Sequence, residues 1–145
     1  MRKWRSETGA ALLEAAFTIP ILLLVTVGIL EFGRAYQTWQ VLTNAAREGA
    51  RIAVLPDLTA PVVQQRVRDY MQAGQLSRYG TATVTVNRAA TLTVNGAAVS
   101  ASQVAVDYPF TFIVLQPVAR LISPSTTLGS AVTMHAEAVM RNETQ

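Results

Sequence analysis

The chain contains no cysteine, which excludes a disulfide framework and any thiolate metal site. Histidine and lysine each occur once, as His135 and Lys3. His135 is followed at two residues by Glu137, and a metal centre needs two further ligands at matching spacing. None is present, so no metal and no other cofactor is expected. The formal charge is +3, but Arg2, Lys3 and Arg5 against Glu7 place +2 of it in the first seven residues. Beyond that head, nine arginines face eight acids. Clustered basic residues on one folded face are therefore missing, and no nucleic-acid partner is expected. Ser100, Ser102, Ser123, Ser125 and Ser130 stand in no nucleophile-elbow context. No phosphate-cradling loop occurs either, and the reading is of a protein that is not an enzyme.

Charge is also scarce in one stretch. From Ala10 to Leu30 there are 21 residues, of which Glu14 alone is charged. At about 1.5 Å of rise per residue such a run spans a bilayer core of about 30 Å. A carboxylate inside it costs roughly 2.5–3.5 kcal/mol at the bilayer centre, so Glu14 asks for a reason. Three cationic residues precede the span and only Arg34 closely follows it. That bias puts the N-terminus in the cytoplasm and the C-terminal part outside it. A cleaved secretory signal fits less well, because the apolar run is long and no A-x-A site follows. Glu31-Phe32-Gly33-Arg34-Ala35-Tyr36 instead continues a helix. Pro20 cannot donate to the carbonyl of Ala16, which predicts a kink or local loosening within the span.

Past the span, Ala35, Trp39, Leu42, Ala46, Gly49 and Ala53 recur at helical spacing and form one apolar stripe. Ala45, Gly49 and Ala53 leave room for close packing. The polar side carries Arg34, Gln37, Asn44, Arg47, Glu48 and Arg51. Pro56 ends the pattern. A second helix is expected from near Asp57–Pro61 to about Leu76, with Val62, Val63, Val67, Tyr70, Met71 and Gly74 on one face. Thr81–Val86 alternates as a strand, Leu92–Val94 continues it, and Asn95-Gly96 is a tight-turn dipeptide. Gln103–Leu115 is β-rich but broken by Pro109. Gln116–Ser123 reads as a short helix or turn, and Ala131–Arg141 alternates again. The expected fold is α+β: a long N-terminal helix on a small antiparallel sheet of three or four strands, with a second helix. The expected organisation is a basic leader over 1–9, a transmembrane helix over 10–30, its extramembrane continuation over 31–55, and an extracytoplasmic α+β domain over 56–145.

Four segments carry a resemblance. They are Gly9-Ala10-Ala11-Leu12-Leu13-Glu14, Pro20 in its leucine-rich span, Gly28-Ile29-Leu30-Glu31-Phe32-Gly33-Arg34, and Leu42-Thr43-Asn44-Ala45-Ala46-Arg47-Glu48-Gly49-Ala50-Arg51. Over residues 6–54 the chain resembles the TadE-like family of the bacterial tight-adherence machinery, pseudopilins or minor pilins associated with Flp pili. The resemblance implies a pilin-like, single-pass protein of the inner membrane. It implies cleavage between Gly9 and Ala10 by a prepilin-type peptidase, which makes Glu14 the fifth mature residue. The new α-amine of Ala10, with a reference pKa of about 7.7–8.0, would be mostly cationic. Glu14 of a neighbouring subunit would pair with it and set register in an apolar bundle. The other reading of Glu14 is a carboxylate solvated at the inner headgroup level. Here Ala15 and Ala16 precede Phe17, whereas motifs of this system often place Phe directly after the acid.

Glu31 with Arg34 and Glu48 with Arg51 are i, i+3 pairs of opposite sign. They read either as a weakly paired solvated face or, with Arg47, as a docking surface for neighbouring subunits or lipid headgroups. Implied partners are membrane lipid, the peptidase, other pilus or pseudopilus subunits and assembly-platform proteins, in a hetero-oligomer. The alternative function is a permanently membrane-anchored binding or accessory domain that enters no filament.

Overall fold

One uninterrupted helix, α1, runs from Trp4 to Ala53 and passes through Pro20. The computed structural model describes residues 4–122 and 124–142; the remainder of the basic head and Glu143 to Gln145 lie outside the described residues. The chain divides into two compact units. One comprises the chain up to Arg34 together with Phe112–Gly129, and the other comprises Ala35–Thr111 with Ser130 onward.

The second unit is α+β. After α1 come α2 (Ala60–Ala73), a 3-10 turn (Tyr79–Thr81), β1 (Thr83–Val94), β2 (Ala97–Phe110) and β3 (Val132–Arg141). The sheet is antiparallel with order β1-β2-β3. Thr59, in extended backbone, precedes α2, and Pro61 stands in its first turn. There the missing N–H of proline loses no helical bond. The helix stops short of the expected Leu76. Gln75 turns to φ 60°, its N–H donates to Gln72 O at 2.9 Å, and the Leu76 N–H donates to Met71 O at 3.1 Å. This is a Schellman ending, with buried Leu76 as its apolar contact.

β1 runs through the continuation expected at Leu92–Val94 as one strand, its register shifting between Asn87 and Ala90. Asn95 (φ 51°) and Gly96 (φ 81°) form the two-residue turn into β2, as a type I′ turn requires. Pro109 does not break β2. β1 begins at Thr83, opposite Asp107, so at Pro109 the strand has a neighbour on the β3 side alone, where a proline is tolerated.

Alternation sorts the two sheet faces. Val84–Val106–Ala136 and Val86–Val104–Ala138 are cross-strand rows of the apolar face. Leu42, Ala45, Ala46, Gly49, Ala50 and Ala53 of α1 are buried, as are Val63, Val67 and Met71 of α2. Trp39, expected on the buried stripe, is 47% exposed, and Val62 and Tyr70 also face outward. A 14-residue helix packed along one side buries only an i, i+4, i+8 line, which leaves the flanks of the expected face in solvent.

At the C-terminal end of α1 the Leu55 N–H donates to Ile52 O at 3.2 Å, and the sheet adds further contacts. The hydroxyl of buried Ser102 lies 3.3 Å from the carbonyl oxygen of Ala53 and 2.7 Å from Asn142 Oδ1. Arg88 donates to the carbonyl of Leu55 at 3.1 Å. Of these, the Ser102 contact reaches a carbonyl that the helix end leaves unpaired, and the Arg88 contact fixes the turn that follows.

In the first unit, α3 (Leu115–Ile122) accompanies the N-terminal part of α1. The short helix or turn expected at 116–123 is a helix that begins one residue earlier and runs to Ile122; Ser123 lies outside the described residues. Residues 112–129 cluster with the apolar run and not with the sheet.

Candidate functional site

Among the described residues, α1 is the one helix long and apolar enough to cross a membrane. Most of its large side chains between Leu12 and Leu30 are exposed, Phe17 at 68% and Leu30 at 68%, while Val27 is half-buried. Apolar residues all round an exposed helix need an apolar solvent. Gly9 and Ala10 lie on the first turns of α1, both exposed, with open space where a Gly9 side chain would stand. Glu14, one turn further, is exposed and has no ion-pair partner among the described residues.

Glu31 stands differently from its reading as half of a weak solvated pair. It is 4% exposed. One carboxylate oxygen accepts the backbone N–H groups of Ile113 at 2.7 Å and Val114 at 2.6 Å. The other accepts from Arg34 at 2.8 Å. Val114 immediately precedes α3, and its carbonyl receives the Val118 N–H. The carboxylate therefore sits where α3 has unpaired donors and the positive end of its dipole. Reading the residues missed this site, because the partners are main-chain groups more than eighty positions away. The available signal was the apolar run Phe112-Ile113-Val114-Leu115 leading into a short amphipathic helix.

Below Glu31, Pro20, Ile21, Leu23, Leu24 and Val27 of α1 line an open groove of ≈ 340 Å³ with Leu115 and Val118 of α3. The lining is almost wholly apolar.

In the second unit, Ala45, Gly49 and Ala53 lie in the interior. A Cβ on Gly49 would stand 2.5 Å from Val67 Cγ2 and 3.0 Å from Val104 Cγ1, so the close approach there is to α2 and β2 of the same chain. Arg47 is exposed. Glu48 accepts two bonds of 2.8 Å from Arg51 and two longer ones of 3.3 Å from Arg66 of α2. The Arg51 hydrogen bonds, opposed by partial burial and aided by Arg66, hold its carboxyl down to about 2.

On the outward sheet face, His135 Nδ1 meets Asp107 at 2.7 Å and Nε2 lies 3.6 Å from Glu137. The Asp107 hydrogen bond raises the imidazole above its ordinary value. Among the described residues no group of three His, Cys, Asp or Glu side chains is placed to hold a metal ion.

The molecule is thus an α+β protein whose N-terminal helix has the length and apolar character of a single-pass membrane anchor. The family model described as TadE-like protein matches residues 9–51, in agreement with the resemblance read from the same stretch. No curated protein and no solved structure matches the chain.

Proposed function

We propose that this protein is a pilin-like component of a tight-adherence (Flp) pilus or a related secretion apparatus, inserted in the inner membrane by residues 10–30 with its α+β unit outside the cytoplasm. The observation that carries the reading is the extent of the TadE-like match. It ends within two residues of the end of α1, so it covers both the exposed apolar part and the part buried under the sheet. A helix with one half in lipid and one half in a small domain fits a subunit that assembles through its rod.

Gly9 is the cleavage residue in this reading, since a peptidase approaches a glycine backbone without a side chain in the way. Cutting there frees the α-amine of Ala10, one turn from the exposed and unpaired Glu14. In an apolar bundle, each of these charges offsets the desolvation of the other only when both are present. Partners are then the prepilin-type peptidase, neighbouring subunits and the assembly platform.

The test is the mass and N-terminal sequence of the protein purified from a host with an active prepilin peptidase. The expected product begins at Ala10 and co-purifies with pilus assembly proteins. An intact 1–145 chain that extracts with membranes alone supports the accessory-domain reading instead.

A further inference from the structure

We infer that Phe112–Gly129 is a second membrane-contacting element, in which α3 dips into the outer leaflet beside the span and meets lipid acyl chains. The inference rests on reading residues 10–30 as the span. Leu115 and Val118 share their groove with Pro20, Leu24 and Val27. Those residues lie one to three turns below Glu31, about 6–17 Å along the axis. The bilayer cannot be shifted to spare α3. Residues 10–19 alone would cover about 15 Å, half of the apolar thickness a span must cross. Any placement that keeps the span at full length puts α3 level with hydrocarbon.

The segment has the character this position demands. From Phe112 to Ile122 only Arg120 is charged, and the run is too short to cross, which suits a re-entrant element. Ile113 and Leu128 are 64% and 60% exposed. Lipid tolerates non-helical backbone only where its polar groups are taken up. At the entry, Glu31 accepts the N–H groups of Ile113 and Val114. At the exit, Gly129 (φ +74°) is pressed against the first turn of α3. A Cβ there would lie 2.6 Å from Gln116 N, so the chain leaves at the level where it entered. Arg120 is exposed, and its long stem lets the guanidinium reach headgroup phosphates.

The chain lacks cysteine, so single cysteines report cleanly. Pro117→Cys on α3, Leu24→Cys on the span and Thr85→Cys on the exposed sheet face are labelled with an environment-sensitive fluorophore. Each full-length variant is reconstituted in phosphatidylcholine–phosphatidylglycerol vesicles containing nitroxide-labelled lipid. The expected result is strong quenching at positions 117 and 24 and weak quenching at 85. Alkylation by an impermeant maleimide, slow at 117 and fast at 85, gives a second readout should the fluorophore perturb α3. Quenching at 24 with an aqueous 117 overturns the inference and leaves the span intact. An aqueous position 24 overturns the span reading and the inference together.

Discussion

Gly49 of α1 stands against Val67 of α2 so closely that a Cβ would come within 2.5 Å of Val67 Cγ2. Val67 is β-branched and on a helix, so its χ1 has little freedom to yield. Overpacking a tight core costs about 1–3 kcal/mol, against a gain of about 1 kcal/mol for alanine over glycine in a helix. Gly49→Ala is expected to lose up to about 2 kcal/mol of stability, and Gly49→Val more. Gly33→Ala, on the same helix with nothing within 4 Å, is expected to lose none. Urea titration of the detergent-solubilised chain followed by circular dichroism measures both. Equal stabilities for the two alanine variants would remove the packing argument.

Glu31→Ala strips the acceptor from two backbone donors and from Arg34. These donors are part-buried, so their loss of a partner costs toward the low end of about 1–3 kcal/mol. The loss should be local. Amide exchange at Ile113 and Val114 is expected to accelerate by at least tenfold, while amides of β2 stay protected. Unchanged exchange at both residues would mean that apolar contact alone holds the segment.

Glu48 titrates well below its ordinary value of 4.5, at about 2. A depressed carboxylate contributes stability that is present above 4.5 and lost as the pH falls toward 2, because the unfolded chain binds the extra proton. The stability curve of Glu48→Gln is expected to be flatter over that window than that of the parent. At neutral pH the difference should stay within about 1 kcal/mol, as for other solvent-accessible ion pairs.

His135 is raised above its ordinary 6.5 by Asp107 first, and by Glu137. Its contribution has the opposite sign. It is complete below 6.5 and disappears as the pH rises through the folded value. As the sole histidine, it gives a single imidazole titration by NMR. Asp107→Asn is expected to move that midpoint down, while Thr85→Ala on the same sheet face leaves it in place.

Much of this architecture is legible in the sequence. The 21-residue apolar run, the stop at Pro56, the Asn95-Gly96 turn and the alternation of Ala131–Arg141 are local patterns, and each became the element its period or turn chemistry demands. Where reading failed, the cause lay elsewhere in the chain. Trp39 carries the right spacing for burial and is exposed, since burial depends on where α2 and the sheet end. Pro109 looked like a strand break, but β1 begins only opposite Asp107 and does not reach the proline. The proposal for Gly9, Ala10 and Glu14 rests on a contiguous motif and needs no tertiary contact to be read. The role of Glu31 was hidden because a carboxylate's burial depends on which distant main-chain donors reach it.

The sequence alone determined that the chain carries a rod long and greasy enough for a bilayer, and that a small helix-and-strand unit follows it. Hydrophobic period and turn propensity act over a few residues and need no fold to express themselves. Only the tertiary structure decided that residues 112–129 join the apolar part of the rod, held by Glu31, while Gly49 disappears between α2 and β2. Those outcomes depend on distance between residues remote in sequence, a quantity that local propensity does not contain.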